Sequence, residues 1–490
     1  MAALPAIPFA EWIKKYGLAA APLVRYNALS PNGLAMLNLY AKGVKRMMST
    51  PPGDPRSWVF QWYSHWVKGP QTAAPKAAEI ASTYGPSPSP WKSLAQDMWD
   101  NCQAHGPGED ENWFLPWHRM FVYFFERIVR SVTQSSFTLP YWNYSVSGVN
   151  HGVIPKPFRL PKSPIFGPLY VDKRNPGVNQ GQAIDQGQPG NPLGLVALSE
   201  CSYSPVGARQ GFCMRLDGSV HGMVHVLTGN TQNMGSVPWA GGDPVFWAHH
   251  CNIDRLWASW NKAGRQNPSD PAFLAKTFVF ADEHGNKVVA KIQDFLKLPP
   301  LGYSYDQYEP APGCGVSLAA LAAIAGRLQK RFVAPSGPIA LGTEPVRVSL
   351  GDAPEATEKV AFSTRVQALP SAGNLRLVVK GLRAEDHPGV LYHVYLDLPA
   401  EVPPEKGGQH YVGSFSFFDG VGHSEGDAVG PEKFFSFDIT RVSRTLQSRN
   451  LLGDRPTITI RPLGQPAGEA RAMIGEISLV EEPALVQPGS

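Results

Sequence analysis

Two stretches of this 490-residue chain set histidines inside helices that read as buried: FLPWHRMFVYFFERIVRSV, residues 114–132, and DPVFWAHHCNIDRLW, residues 243–257. No other feature constrains the fold as much. In the second stretch Asp243 is a good N-cap and Pro244 suits the first helical position, where a missing N–H costs nothing. Phe246, Ile253 and Trp257 then keep roughly helical spacing. In the first, Pro116 lies near the start, and Phe121, Phe124, Phe125, Ile128 and Val132 make one apolar face. Imidazoles in such settings need partners, because a buried polar group left unpaired is costly. Either hydrogen bonds satisfy His249 and His250 or one of them binds a metal.

Seven of the 13 histidines fall in motifs before residue 251: His65, His105, His118, His221, His225, His249 and His250. SVHGMVHVLTGN places His221 and His225 at i and i+4, on one face of a helix. That spacing lets two imidazole nitrogens reach one ion, although a lone HxxxH also arises from unrelated helical histidines. A third histidine follows in the DPVFWAHH helix. The first cluster repeats the theme, with His65, His105 and then His118 on the Pro116 helix. No Cys₄ or Cys₂His₂ zinc pattern, H-E-x-x-H, P-loop, Rossmann glycine fingerprint or G-x-S-x-G elbow competes. All-imidazole ligation without bridging acids argues against hydrolytic dizinc or di-iron centres and favours copper over Mg, Ca or Mn. Two copper ions with three histidines each is the natural reading.

The remaining sequence bounds the setting. Net charge is +4 with no basic run, which gives no pointer to nucleic acid or an anionic membrane. No apolar run approaches the length needed to span a bilayer. MAALPAIPFAEWIKK makes a poor signal peptide, so the expected location is cytoplasmic. Five cysteines are too few for a disulfide scaffold; Cys201 and Cys213 could close a loop, but free thiols are the default expectation. The chemistry-bearing part, residues 1–310, carries helices among long Pro/Gly-rich connections, and LPPLGYSYDQYEPAPG reads as an extended tail over a surface. Residues 311–344 form a linker containing a short Ala/Leu-rich helix or tether. From 345 to 490, VRVSL, LRLVVKGL, VLYHVYLDL, YVGSFSFF, FFSFDITRV, PTITIRPL and AMIGEISLV are strand-like, predicting an all-β antiparallel sandwich.

FLPWHRMFVYFFE, LPYWNYS, HGMVH and DPVFWAHHCNIDRLW together resemble the type-3 copper proteins: tyrosinases, catechol oxidases and haemocyanins. LGYSYDQY and the strand-rich tail are more loosely similar to the linker and C-terminal domain of plant polyphenol oxidases. The resemblance implies a mainly α-helical catalytic domain, a four-helix bundle around a dicopper centre, followed by the sandwich. It makes His65, His105 and His118 the ligands of the first copper and His221, His225 and His250 those of the second. His249 becomes a neighbouring hydrogen-bonded group, since one helical step turns a side chain by about 100°. Asp254 and Arg255 become anchors of the helices. Three departures stand out. GPGEDE lengthens the His105–His118 interval; Cys102 lies three residues before His105, where relatives often carry a thioether; and Asn143 replaces a more usual acid.

The resemblance also implies the activity: O2 as co-substrate, small phenols as partners, and oxidation of o-diphenols to o-quinones with ortho-hydroxylation of small monophenols. A catechol oxidase or o-aminophenol oxidase without monophenolase activity is the alternative, and an O2 carrier of haemocyanin type a more distant one. Val237 occupies the gate position over the copper and leaves access open. Gly222 stands where many tyrosinases have a water-orienting asparagine; Asp217 could hold that water instead, or be a surface carboxylate. Val226 offers no cation to a substrate carboxylate, so neutral phenols are the expected substrates. Phe417 and Phe418, in SFSFFDG, are candidate plugs of a C-terminal lid, or core residues of the sandwich.

Overall fold

Helices begin where a short polar side chain can take up their first backbone donors. Ser30 accepts from the Gly33 amide at the start of α1 (Pro31–Met48), and Ser57 from the Phe60 amide at the start of α2 (Trp58–Tyr63). α3 (Phe114–Thr133) ends with Gln134 in the left-handed region, φ 51°. α4 (Gly211–Leu216) continues through a π turn, Asp217–His221, into α5 (Gly222–Thr228). At α6 (Pro244–Lys262), Asp243 accepts from the Val245 amide at 3.0 Å, with Pro244 at the first position as expected. The same carboxylate is held by Arg174 at 2.7 and 2.8 Å, both side chains being fully buried. The computed structural model describes residues 4–18, 22–65, 73–99, 111–356, 359–403, 408–418 and 433–483.

The described residues fall into two compact units. One runs to Gln186 and resumes from Leu227 to Pro312; the other comprises Gly187–Val226 and the chain beyond Gly313. In the first, α3 and α6 are buried on almost every side, α6 without interruption from Pro244 to Trp260. A helix apolar all round belongs in a core, and these two meet there, Phe125 stacking on Trp247 at 3.5 Å. α1 packs closely on α3: a β-carbon on Gly43 would lie 2.8 Å from Val129 Cγ1. Leu23–Arg25 pairs in parallel with Tyr303–Tyr305. The LGYSYDQY segment is therefore not a surface tail, since Tyr303 and Tyr305 are buried; their hydroxyls have anionic partners to reach.

The second unit carries the sandwich. Phe434–Asp438, Asn374–Lys380, Glu476–Glu482, Gln329–Val333 and Gly351–Asp352 form one sheet in that spatial order. Tyr411–Ser416, Leu391–Leu396, Thr457–Pro462 and Val346–Ser349 form the other. Alternation supplies the shared core: Leu375, Leu377 and Val379 from the first sheet meet Tyr392, Val394, Leu396, Ile458 and Ile460 from the second. All seven expected runs contain strands. Gln329–Val333 and Ile339–Ala340 are further strands inside the expected linker, whereas TRV in FFSFDITRV opens a helix, Thr440–Ser448. The other face of the five-stranded sheet is used too. Val378, Phe434 and Val480 pack on Ala208 and Met214, and so fasten the segment that precedes His221. A helical core and a sheet-rich C-terminal region are thus both present.

The free-thiol expectation fails for two cysteines. Cys201 and Cys314 form a disulfide across 113 residues, while Cys213 and Cys251 are buried free thiols. The partner of Cys201 lies too far along the chain for local spacing to reveal it. A cross-link closing so long a loop constrains the unfolded chain most. Replacing Cys314 by serine is expected to lower stability by about 2–5 kcal/mol, read by guanidinium unfolding.

Candidate metal centre

In the first unit, the end of α2 and the buried faces of α3 and α6 bring His65, His118 and His250 together. Ring centroids of His118 and His250 lie 4.3 Å apart and nearly parallel, and His65 sits 5.7 Å from His118 and 6.4 Å from His250. Each of the three is at most 2% exposed. Phe246 stands edge-on to His65 at 4.9 Å and packs on His250 at 4.2 Å, so aromatic rings fix the imidazoles. His118 Nδ1 donates to the Phe114 carbonyl at 2.8 Å. That bond selects the tautomer whose Nε2 presents a lone pair.

In the second unit His221 and His225 follow the π turn, rings 4.6 Å apart and both fully buried. Ser219 leaves helical geometry at φ −98°, ψ −110°, and π turns of this sort recur at functional sites. His221 Nδ1 reaches Asp217 Oδ1 at 2.8 Å and the Asp217 carbonyl at 3.3 Å. Here too Nδ1 is tied to oxygen and Nε2 is turned away from it. Asp217 is not a surface carboxylate: it is fully buried, and its other oxygen accepts from Lys433 Nζ at 2.6 Å.

Phe417 and Phe418 separate by alternation. Phe415 and Phe417 point into the sandwich, Phe417 lying 5.3 Å from Tyr392, so Phe417 is a core residue and not a plug. Ser416 and Phe418 face the other way. Phe418 stacks on His225 at 4.1 Å and 20° and meets His221 at 5.6 Å. A β-carbon on Gly222 would lie 3.1 Å from Ser416 Oγ and 3.8 Å from Phe418 Cβ.

Around the first half-site, Asp254 binds Arg25 at 3.0 Å and Arg119 through a second oxygen, and accepts the Tyr303 hydroxyl at 2.7 Å. Tyr305 donates to the same carboxylate, and Arg25 also holds Glu126 at 2.8 Å. Burial alone would raise the Asp254 carboxyl, but the Arg119 and Arg25 guanidiniums and the Tyr305 hydroxyl hold it below the usual carboxylate range. Glu126 is likewise lowered: burial opposes, and Arg25, Arg130 and the Leu139 amide prevail. Burial pushes the Cys251 thiol up to about 12, so it stays a thiol donating to the Leu139 carbonyl. Arg255 Nη2 reaches Glu309 at 2.8 Å, and Glu309 also accepts from Asn143 at 3.0 Å. Glu309 thus supplies the acid that Asn143 lacks. His249 packs on Tyr144 at 5.6 Å. Val226 and Val237 are buried, Val237 opening the short helix Val237–Ala240. His105 and Cys102 lie outside the described residues.

Lys433, Glu309, Arg25 and Ser416 carried no signal in the sequence, because each acts on a residue far along the chain. The donor set fits copper. His221, His225, His249 and His250 are buried and each offers one imidazole nitrogen, as do His65 and His118, with no carboxylate needed as a ligand.

The sequence matches the common central domain of tyrosinase over residues 57–193 and 197–263, and the polyphenol oxidase middle domain over 267–312. Residues 332–482 match a domain of unknown function. A tyrosinase of Hahella sp. (strain CCB-MM4) is 32% identical over 294 residues, 55% of this chain and 60% of that protein. The chloroplastic (+)-larreatricin hydroxylase of Larrea tridentata is 30% identical over 302 residues, 55% of this chain and 47% of that one. The chain therefore matches only about half the length of these curated relatives. A latent apple tyrosinase shares the fold, with a TM-score of 0.60 at 21% identity over 94% of this chain and 98% of that one. Residues 57–312 thus carry the central and middle domains of the tyrosinase and polyphenol oxidase family of type-3 copper proteins, and the buried histidine cluster suits that family's dicopper centre.

One expectation falls with these comparisons. The larreatricin hydroxylase, a catechol oxidase of Solanum tuberosum and a polyphenol oxidase of Malus domestica are all chloroplastic, which overturns the cytoplasmic location inferred from the N-terminus. The Cys201–Cys314 disulfide is also foreign to a reducing cytosol. Among the described residues no helix is long and apolar enough to cross a membrane.

The Asp254 cluster sets a test. Removing one charge of a buried set strands the others, so Asp254→Asn is expected to cost about 3–5 kcal/mol by chemical unfolding. Asp254 and Glu126 have folded pKa values below their ordinary ones. Their contribution is complete above the ordinary carboxylate range near pH ~4 and is lost as pH falls through the depressed values. The parent should lose stability more steeply than Asp254→Asn on acidification below that range.

Proposed function

We propose that the protein is a polyphenol oxidase that oxidises o-diphenols to o-quinones with O2 and also hydroxylates small neutral monophenols at the ortho position. Two o-diphenols release two electrons and two protons each; one O2 takes up all of them and leaves as two waters. A monophenol and one O2 give one o-quinone and one water. Bound copper supplies the redox chemistry, and the protein supplies position and access.

His65, His105 and His118 would hold one ion and His221, His225 and His250 the other. The observation that carries the reading is the tethering of the rings. His118 Nδ1 donates to the Phe114 carbonyl at 2.8 Å and His221 Nδ1 to the Asp217 carbonyl at 3.3 Å, and a ring held in this way offers Nε2 to a metal. Asp217, beside His221, is the residue assigned to handle the substrate's proton. Val237 keeps the entrance wide. Val226, being apolar, favours neutral phenols over amino-acid substrates, and His249, Asp254 and Arg255 hold the helices in place.

In this reading residues 1–310 form the catalytic part, 311–344 the linker and 345–490 a lid. Phe418 supports the lid, because its ring occupies the face of His225 that a phenol would approach. A bound substrate ring would need that same stacking surface.

Copper analysis of the reconstituted chain is expected to give about two ions, and His221→Ala to retain roughly half of them. Oxygen uptake should follow addition of 4-methylcatechol and, after a lag, 4-methylphenol. Uptake with the catechol alone removes the monophenol half of the reading, and uptake with neither removes both. Phe418→Ala should raise the turnover of the full chain by a few-fold to about tenfold, in line with about 0.5–1.5 kcal/mol for an aromatic stack.

A further inference from the structure

The sheet that ends in Phe418, two residues past the strand Tyr411–Ser416, does not close on His225 by stacking alone. Gly218 and Gly222 lie one turn apart and flank His221, and neither has space for a side chain. A β-carbon on Gly218 would meet the Phe435 ring at 3.0 Å, and one on Gly222 would meet Ser416 Oγ at 3.1 Å. The bare helix face lets the sheet come flush against it. Phe434–Asp438 is an edge strand, and side chains from the helix segment complete its backbone bonding. Gln210 Nε2 donates to the Phe434 carbonyl at 2.7 Å, its Oε1 accepts from the Ser436 amide at 3.2 Å, and Arg215 donates to the Ser436 carbonyl. Lys433, one residue before that strand, is thereby delivered to Asp217.

We propose that Lys433 is a latch: its ammonium on Asp217 holds the C-terminal sheet closed over His221 and His225, so that opening requires breaking a buried ion pair. The proposal rests on the reading of Phe418 as part of a lid. It names the charge that locks it.

The two oxygens of Asp217 have different histories. Oδ1 lies 2.8 Å from His221 Nδ1, four residues along the same turn, and would stay beside it if the sheet withdrew. Oδ2 depends on a lysine 216 residues away. The carboxylate is fully buried and the lysine side chain 19% exposed, so the pair is shielded from water and salt far more than a surface bridge. A second ion pair, Arg209 with Glu482 at 2.8 Å, also fastens this segment to the sheet, but it touches neither histidine. It therefore serves as the control. The latch and Phe418 bear on adjacent histidines of one half-site, so closing the lid covers His225 and ties down the carboxylate that would receive a substrate's proton.

The test uses the copper-loaded full chain, with Lys433→Gln, Lys433→Met, Lys433→Arg, Arg209→Gln and Phe418→Ala compared. Two readouts are taken: kcat/KM for 4-methylcatechol, and hydrogen exchange of amides 411–418, the latter also on metal-free protein. The latch predicts that Lys433→Gln and Lys433→Met each raise kcat/KM about tenfold, the equivalent of about 1.4 kcal/mol, and speed exchange in that strand. Lys433→Arg keeps the charge and should stay within about twofold of the parent. Activation by Phe418→Ala with silent Lys433 variants overturns the latch and leaves the lid. Silence of Lys433→Gln, Lys433→Met and Phe418→Ala together ends the lid reading itself. Equal activation by Arg209→Gln means that any loosening of the sheet suffices, and a fall in activity on neutralising Lys433 places it in the working enzyme; either result overturns the proposal. Should neither neutral variant fold, Lys433→Arg exchanging as fast as Phe418→Ala would overturn it, and parent-like exchange would uphold it.

Discussion

One carboxylate, Asp254, holds the helical core in the arrangement that everything else uses. It lies out of reach of water, so its charge must be met on the spot, and two guanidiniums and two tyrosine hydroxyls meet it. Those four partners come from three elements: the strand at Leu23–Arg25, helix α3, and the strand Tyr303–Tyr305, which gives two. An interior charge set of this kind adds little net stability compared with an apolar core. What it does impose is register, because none of these elements can slide without leaving a charge unmatched. His250 stands one helical turn before Asp254 and His118 one residue before Arg119, so the ring positions are set by the same lock.

A ligand histidine has to satisfy two demands at once: one ring nitrogen bound to an oxygen and the other offered to the ion. For His118 and His221, the proposed ligands, the first demand is met by local means. His118 uses the carbonyl four residues before it in its own helix, and His221 uses the Asp217 carbonyl, also four residues before it, with that residue's carboxylate alongside, across a turn that has left regular α geometry. Aromatic rings then hold the imidazoles against rotation, Phe246 for His250 and Phe418 for His225. The second of these rings comes from the turn that follows a β-strand, not from a helix. The same kind of contact thus fixes His250 from within its own helix and covers a face of His225 from far along the chain.

How far the sequence could be read depended on the range of the interaction. The start of α6 was legible because Asp243 and Pro244 act on the next turn. The strands were legible because alternation is a property of consecutive residues, and the same alternation, carried past Ser416, would have separated Phe418 from Phe417. Pairings across a hundred residues or more left no local trace. Cys201 with Cys314, Lys433 with Asp217 and Glu309 with Asn143 each join side chains whose neighbours in sequence are unremarkable. Tyr303 and Tyr305 misled for a related reason: a Pro- and Tyr-rich run looks exposed until the buried acid that it serves is located. The N-terminus misled differently, since a short apolar and basic stretch says little about where a chain ends up.

The disulfide governs what a protease could accomplish. Scission anywhere between Cys201 and Cys314 would leave the severed pieces fastened, and only a nick beyond Cys314 would let the strands depart. Departure would bare Ala208, Met214 and the side-chain-free flank at Gly218, all of which the sheet now shelters. A fragment with so greasy a scar would tend to stick to its own kind. Irreversible excision would thus trade solubility for access, whereas a reversible swing of the intact chain would not.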